Sequence, residues 1–170
     1  MQRFETKRWV VAGLAGAIAF WFVQIVTGSS AIPQFIGQEI VSQGSYPEGL
    51  TPPIGWGVHL AVSLIYSLFF ALLMLLPFSS SSGIRVLIGM TAAVVLGWIT
   101  TLLTAPAITV TISILSMQGF PASIPELNTT LGLPFWNHVL FFEIVWLIYT
   151  LMPTLREAAV TWPGERNEFF

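Results

Sequence analysis

Cysteine and aspartate are both missing from this chain of 170 residues, and charge of either sign is scarce. The lack of cysteine excludes disulfides, thiolate metal sites, iron–sulfur clusters, cysteine nucleophiles and covalent c-type haem attachment. Only 8% of the residues are charged, where a soluble domain carries about a quarter, so the chain cannot cover itself in water. A net charge of −2, with no basic run interleaved with aromatics, speaks against nucleic acid as a partner. A phosphate-cradling glycine loop, an HExxH pair and a Gly-x-Ser-x-Gly elbow are also absent. A serine–histidine–acid triad would need an acid close to His59 or His138, and the spacing of Glu48, Glu126 and Glu143 does not supply one. No catalytic residue and no metal-ligand set is assigned, and independent catalytic activity is not expected.

Apolar residues are what the chain has in abundance: 55% of the total, with a mean hydropathy of +0.80. Four runs are long enough to cross lipid, over residues 9–26, 54–76, 86–103 and 135–152, and none contains Lys or Arg. Their length and continuity predict helices rather than barrel strands, because a helix pairs every backbone group within itself. The basic start of the first run resembles a signal peptide, but its length and its partner later in the chain favour a retained span. All six basic residues fall on one side: Arg3, Lys7 and Arg8 before the first run, Arg85 between the second and third, Arg156 and Arg166 after the fourth. The positive-inside bias therefore places both termini and the 78–84 turn, with its Ser79–Gly83 linker, in the cytoplasm. The expected location is the cytoplasmic (inner) membrane, crossed four times, with the lipid bilayer as the first partner.

The halves of the chain resemble each other. Arg8, Trp21 and Thr27 recur at one constant displacement as Arg85, Trp98 and Thr104, and the Trp56-to-His59 stretch recurs as Trp136-Asn137-His138 after a small insertion. The expected fold is therefore all-α: one integral membrane four-helix bundle over residues 1–170, made of two parallel tandem helix–loop–helix repeats. Repeat one covers about residues 8–78 and repeat two about 85–153, with short tails at 1–8 and 154–170. Each unit crosses twice, so the repeats are related by an axis along the membrane normal, with span one opposite span three and span two opposite span four. Ala12, Gly16 and Ala19 in span one, and Gly89, Ala93 and Gly97 in span three, lead to the expectation that these two spans cross near the centre. The loop segments at 31–41 and 108–115 are expected to lie in the outer interface or cap the bundle, the second alternatively extending span three beyond Pro106 as a kinked helix.

Few polar residues lie within the spans. His59 and His138 are the only histidines and occupy corresponding places. Helical spacing puts His59, Ser63, Tyr66 and Phe70 on one face, and His138, Phe142, Val145 and Tyr149 on another. If both faces turn inward, two imidazoles approach each other, which permits a b-type haem with His59 and His138 as ligands. The plainer reading is two interfacial histidines bonded to water, headgroups or loop carbonyls, with no cofactor at all; pH sensing is a third. Glu143 is the only carboxylate within a span, costly in lipid and a functional candidate for that reason. It relays a proton, binds a cation, pairs with a partner subunit, or bonds to a neighbouring helix through Gln24, Thr100 or Thr101. Gln24, Tyr66 and Tyr149 complete the set of intramembrane polar candidates.

The Trp56-x-x-His59 start of span two, running into Ile65-Tyr66, resembles a group of small four-helix bacterial and archaeal membrane proteins, and the likeness covers most of the chain. These look like two-helix repeats with a His opening the second and fourth helices. Ser63 and Phe142 depart from the group, which tends to have glycine there. The resemblance implies the fold and attaches no activity.

Three functions follow as expectations. The first is a non-catalytic subunit of a larger membrane complex, structural or accessory, belonging to an energy-converting or redox assembly and associated with other membrane subunits or with itself. The second is an electron-transfer subunit holding haem b between His59 and His138. The third is a small oligomeric transporter or channel that uses Glu143.

Overall fold

The computed structural model describes residues 6–29, 31–76 and 82–161, with side chains for all of these but 6, 82 and 151–161. Most of the expected 78–84 turn, including the Ser79–Ser81 part of the linker, and both chain ends lie outside the described residues. Those described are all-helical, without strands. Helix α1 spans Thr6–Val26, α2 Ile32–Gly44, α3 Thr51–Met74, α4 Ser82–Leu115 and α5 Leu133–Thr161, with a short 3₁₀ turn at Glu48–Leu50 leading into α3. Four are long and apolar enough to cross a membrane, over Lys7–Val26, Glu48–Met74, Gly83–Leu115 and Leu133–Thr150. The 24 residues of α3 reach about 36 Å at about 1.5 Å per residue, enough for a hydrocarbon core of about 30 Å. Their outward faces carry Ile18, Phe22, Phe69, Leu87, Val94 and Leu147, all exposed. In water such a surface would aggregate; in lipid it is ordinary.

Helices α1 and α3 pack antiparallel, as do α4 and α5, and the two pairs meet chiefly where α1 lies against α5. One end of the bundle holds Arg8 and Arg85 at the starts of α1 and α4, and is here the basic end; the opposite, loop end carries α2. The core joins Ala12 and Phe20 of α1, Phe70 and Ala71 of α3, Ala92 and Ala93 of α4, and Phe141, Phe142 and Val145 of α5, all buried.

The expected central crossing of spans one and three does not form. Among the described residues α1 and α4 share no contact, because their small residues are used against other helices. Gly13 faces Ser67 and Leu64 of α3, Gly16 seats the Phe141 ring of α5, and on α4 Gly89 and Gly97 seat Trp146 and Val139 of α5. The small residues do allow close approach in lipid, but to a large partner side chain rather than to each other.

At the loop end, α2 starts from Ala31 with no side-chain cap of its own. Gln24 supplies one from α1, its Oε1 accepting the Ile32 N–H at 3.0 Å. Pro33 in the first turn fits a helix start, where the missing N–H costs nothing. Helix α2 then lies against α3 at a glycine-to-glycine crossing: a Cβ on Gly55 would fall 1.8 Å from the Pro33 carbonyl oxygen, and one on Gly37 2.2 Å from that of Thr51. Ile36 and Ile40 meet Ile112 of α4 in a second small core. Tyr46 donates its hydroxyl to Leu115 O at 3.0 Å, and Gln118 Nε2 donates to Gln43 O at 3.0 Å, so the ends of α2 and α4 are tied both ways.

Helix α4 continues through Pro106 to Leu115, so the 108–115 segment extends the span rather than forming a separate interfacial piece. A proline lacks the N–H that the carbonyl four residues back would accept. That carbonyl is Leu102 O, and the backbone N–H of Asn128 takes it at 3.1 Å. The loop between α4 and α5 is thereby fastened to the place where the helix needs a donor, as a polar group at membrane depth requires.

Candidate functional site

The two histidines open one cavity of about 420 Å³ in the loop-end half of the bundle, walled by all five helices and the Asn128 loop. Its sides are α3, through Val58, Val62, Ser63 and Tyr66, and α4, through Thr104, Ala105, Ile108 and Thr111. Phe20 of α1 and Phe141 of α5 form the wall behind, and Ile32, Phe35 and Ile36 of α2 close it from the loop end. The cavity lies where α3 and α4 diverge, and Ala107 on its rim is exposed.

Both imidazoles are buried, His59 at 7% and His138 at 8% exposure, and the Phe20 ring packs against both, with centroids at 5.8 and 5.2 Å. They are held differently. His59 Nε2 lies 3.1 Å from Ala17 O of α1. His138 Nδ1 lies 2.7 Å from Pro134 O one turn back in its own helix, and its Nε2 is 3.4 Å from Thr104 Oγ1. A carbonyl only accepts, so the proton sits on Nε2 of His59 and on Nδ1 of His138. Trp56 is edge-on to His59 at 5.8 Å and in turn meets Trp21 at 5.4 Å. These rings continue the apolar wall toward the loop end.

The expected inward face of α3 is present: His59, Ser63 and Phe70 are buried, and Tyr66 lines the cavity with its ring against Phe141 and Phe142. Gln24, 5% exposed, spends Oε1 on the α2 start and lines the cavity. Tyr149 is buried farther along α5 and does not reach the cavity. Neither does Glu143. Glu143 shares a helical face with Trp136, Leu140 and Leu147, opposite the buried Phe142, Val145 and Tyr149, so it points out of the bundle. It makes no hydrogen bond among the described residues. The partners expected for it are engaged elsewhere: Thr100 bonds Leu96 O and Thr101 bonds Gly97 O, each within α4.

The cavity does not suit a b-type haem. Two axial histidines must present one nitrogen each to opposite sides of a single iron, whereas the Phe20 ring packs against both imidazoles. The lining also holds no Lys or Arg to meet the two propionates. No group of three or more His, Cys, Asp or Glu side chains that could hold a metal ion occurs among the described residues. Sequence reasoning missed Thr104, Asn128 and the α2 isoleucines as parts of the site. Pro106 was the available signal for Asn128, since it leaves a carbonyl without a donor.

Comparison with family models, curated proteins and solved structures finds no match to this chain.

Proposed function

We propose that this chain is a non-catalytic membrane subunit that holds an uncharged amphipathic molecule in the cavity between α3 and α4. The observation that carries the reading is the make-up of that cavity: a mostly apolar enclosure of about 420 Å³, with a few convergent polar groups and no charged side chain. Such a composition is the usual one for a small-molecule site. It disfavours a phosphate headgroup or a metal cation, for which a buried charge of opposite sign would be needed. With both termini in the cytoplasm, as the basic residues argue, the cavity belongs to the outer leaflet of the cytoplasmic membrane. The diverging α3 and α4 then give a side entrance from lipid. The test is mass spectrometry of the organic extract from protein purified gently in mild detergent, with an absorption spectrum of the same sample. A neutral molecule near one equivalent, lost on filling the cavity by Ala105→Trp, supports the reading. An empty extract, or a haem band that survives Ala105→Trp, counts against it.

Glu143 favours a second role on the opposite side of the molecule. A carboxyl group among Trp136, Leu140 and Leu147 is costly against lipid, and the cost falls if a hydrogen-bond donor of another membrane chain covers it. On this reading the outward face of α5 is the subunit contact. Glu143→Leu then abolishes co-purification of a stoichiometric partner or of a second copy while the bundle stays folded. An unchanged assembly removes this reading and leaves the cavity untouched. Transport through the bundle gains no support from Glu143, because that residue is outside the cavity.

A further inference from the structure

We infer that the occupant of the cavity is a lipid-soluble hydroxyl compound, of the hydroquinone or long-chain alcohol type, which donates a hydrogen bond to His138 and, where it has a second hydroxyl, to His59. The inference rests on the cavity being a ligand site, and its new content comes from counting protons on the lining. With Nδ1–H given to Pro134 O, neutral His138 presents Nε2 as a lone pair. Thr104 is its nearest neighbour at 3.4 Å, but that hydroxyl has one proton and spends it on Thr100 O at 2.7 Å. No carboxylate lines the cavity to support a charged ring, and 3.4 Å is long for a charge-assisted bond, which runs at about 2.7–2.9 Å. Among the described residues, His138 Nε2 is thus an acceptor whose one neighbour within hydrogen-bond range, the Thr104 hydroxyl at 3.4 Å, has its proton engaged on Thr100 O.

His59 reaches the same condition by the other nitrogen. Its Nε2–H goes to Ala17 O, and Nδ1 has no partner among the described residues. It is also not a sealed-off atom, for the only buried unpartnered side-chain nitrogen or oxygen among them is Trp9 Nε1 at the far end of the bundle. The His59 and His138 rings, each with one nitrogen free to accept, thus both line one largely apolar cavity. A buried acceptor left without a donor costs about 1–3 kcal/mol, which an occupant with O–H groups removes and an occupant with ether or carbonyl oxygens does not. An ammonium donor is disfavoured, since the cavity has no anion for it. The oxygen of such a hydroxyl also has an acceptor position free for the Gln24 amide nitrogen, whose own Oε1 is spent on Ile32.

Equilibrium binding to the full-length protein in detergent decides the matter, with a short-chain hydroquinone, its dimethyl ether and a straight-chain alcohol as probes. The hydroquinone is expected to bind at least about tenfold more tightly than the ether, which fills the same space without donating. His138→Phe is expected to narrow the gap between hydroquinone and ether and to leave the ether unchanged, which a merely misfolded variant would not do. A hydroquinone that outcompetes the alcohol assigns two hydroxyl contacts, and equal affinities assign one. Equal binding of hydroquinone and ether overturns the donor assignment while the cavity remains a ligand site. Binding of none of the probes to the unaltered protein overturns both.

Discussion

The α1/α3 pair and the α4/α5 pair meet along two seams that differ sharply. Where α1 meets α5 the seam is closed: Gly16 gives its place to the Phe141 ring, so tightly that a Cβ there would lie 2.7 Å from two ring carbons. Where α3 meets α4 the seam is parted. Both packed glycines of α4 are turned to α5, that of α3 is turned to α2, and Leu73, Leu87, Ile88 and Val95 leave a gap of about 340 Å³ toward the basic end. Toward the loop end the parting widens into the cavity, and α2 bridges it. Two helix pairs joined side by side have equal seams only if both seams carry the same small residues. Here the placing of a few glycines is enough to close one seam and leave the other for a ligand.

The strongest way to break this contrast is to remove the bridge. In Gly55→Ala the new methyl meets the Pro33 carbonyl, a backbone atom that cannot turn aside, and a loss of about 3 kcal/mol is expected. Thermal unfolding in detergent measures the loss, and hydrogen exchange over residues 32–44 should rise with it; unchanged exchange would show that α2 is held otherwise. Next comes the closed seam itself. Gly16→Val is expected to cost about 1–3 kcal/mol, because Phe141 is a side chain that shifts part of the way. Gly57→Val, where a Cβ meets nothing within 4 Å, should stay within about 0.5 kcal/mol of the parent.

Gln24→Leu removes a cavity-lining amide and the acceptor for Ile32 together. A cap of this kind contributes about 1 kcal/mol, so a modest drop in unfolding temperature with a clear loss of retained ligand is expected. The reverse pattern would make Gln24 purely structural. A small effect of opposite sign is expected at the parted seam: Thr91→Leu adds methyl groups into the gap beside Leu87 and Val95 and should stabilise by less than about 1 kcal/mol through added contact. A destabilisation there would mean that the gap closes in the membrane.

Much of the fold was legible because lipid leaves few options. Four long apolar runs with all basic residues on one side allow little but four crossing helices, and the helical face from His59 to Phe70 follows from spacing alone. The crossing of spans one and three was misread because a stripe of small residues shows that something comes close and does not say what. Gly16 and Gly89 accept Phe141 and Trp146, bulky partners that no local pattern in α1 or α4 announces. The inward or outward sense of Glu143 was legible in hindsight from its register with Trp136 and Leu147. Its rarity as an intramembrane acid drew attention to the residue and away from the face it occupies. The histidines were found by their correspondence between repeats, yet their unequal hydrogen bonds depend on Ala17 and Pro134 carbonyls, which no side-chain pattern reveals.

The most direct test of the site is made in the membrane itself, with a small diazirine-bearing aliphatic residue at Val62 on the cavity wall and, as a control, at Ile18 on the lipid-facing side of α1. On irradiation, the account predicts one discrete adduct of a neutral, hydroxyl-bearing molecule at position 62, against a mixture of phospholipid adducts at position 18. The same phospholipid mixture at both positions would contradict it, because the cavity would then be no more than a dent filled by bulk lipid.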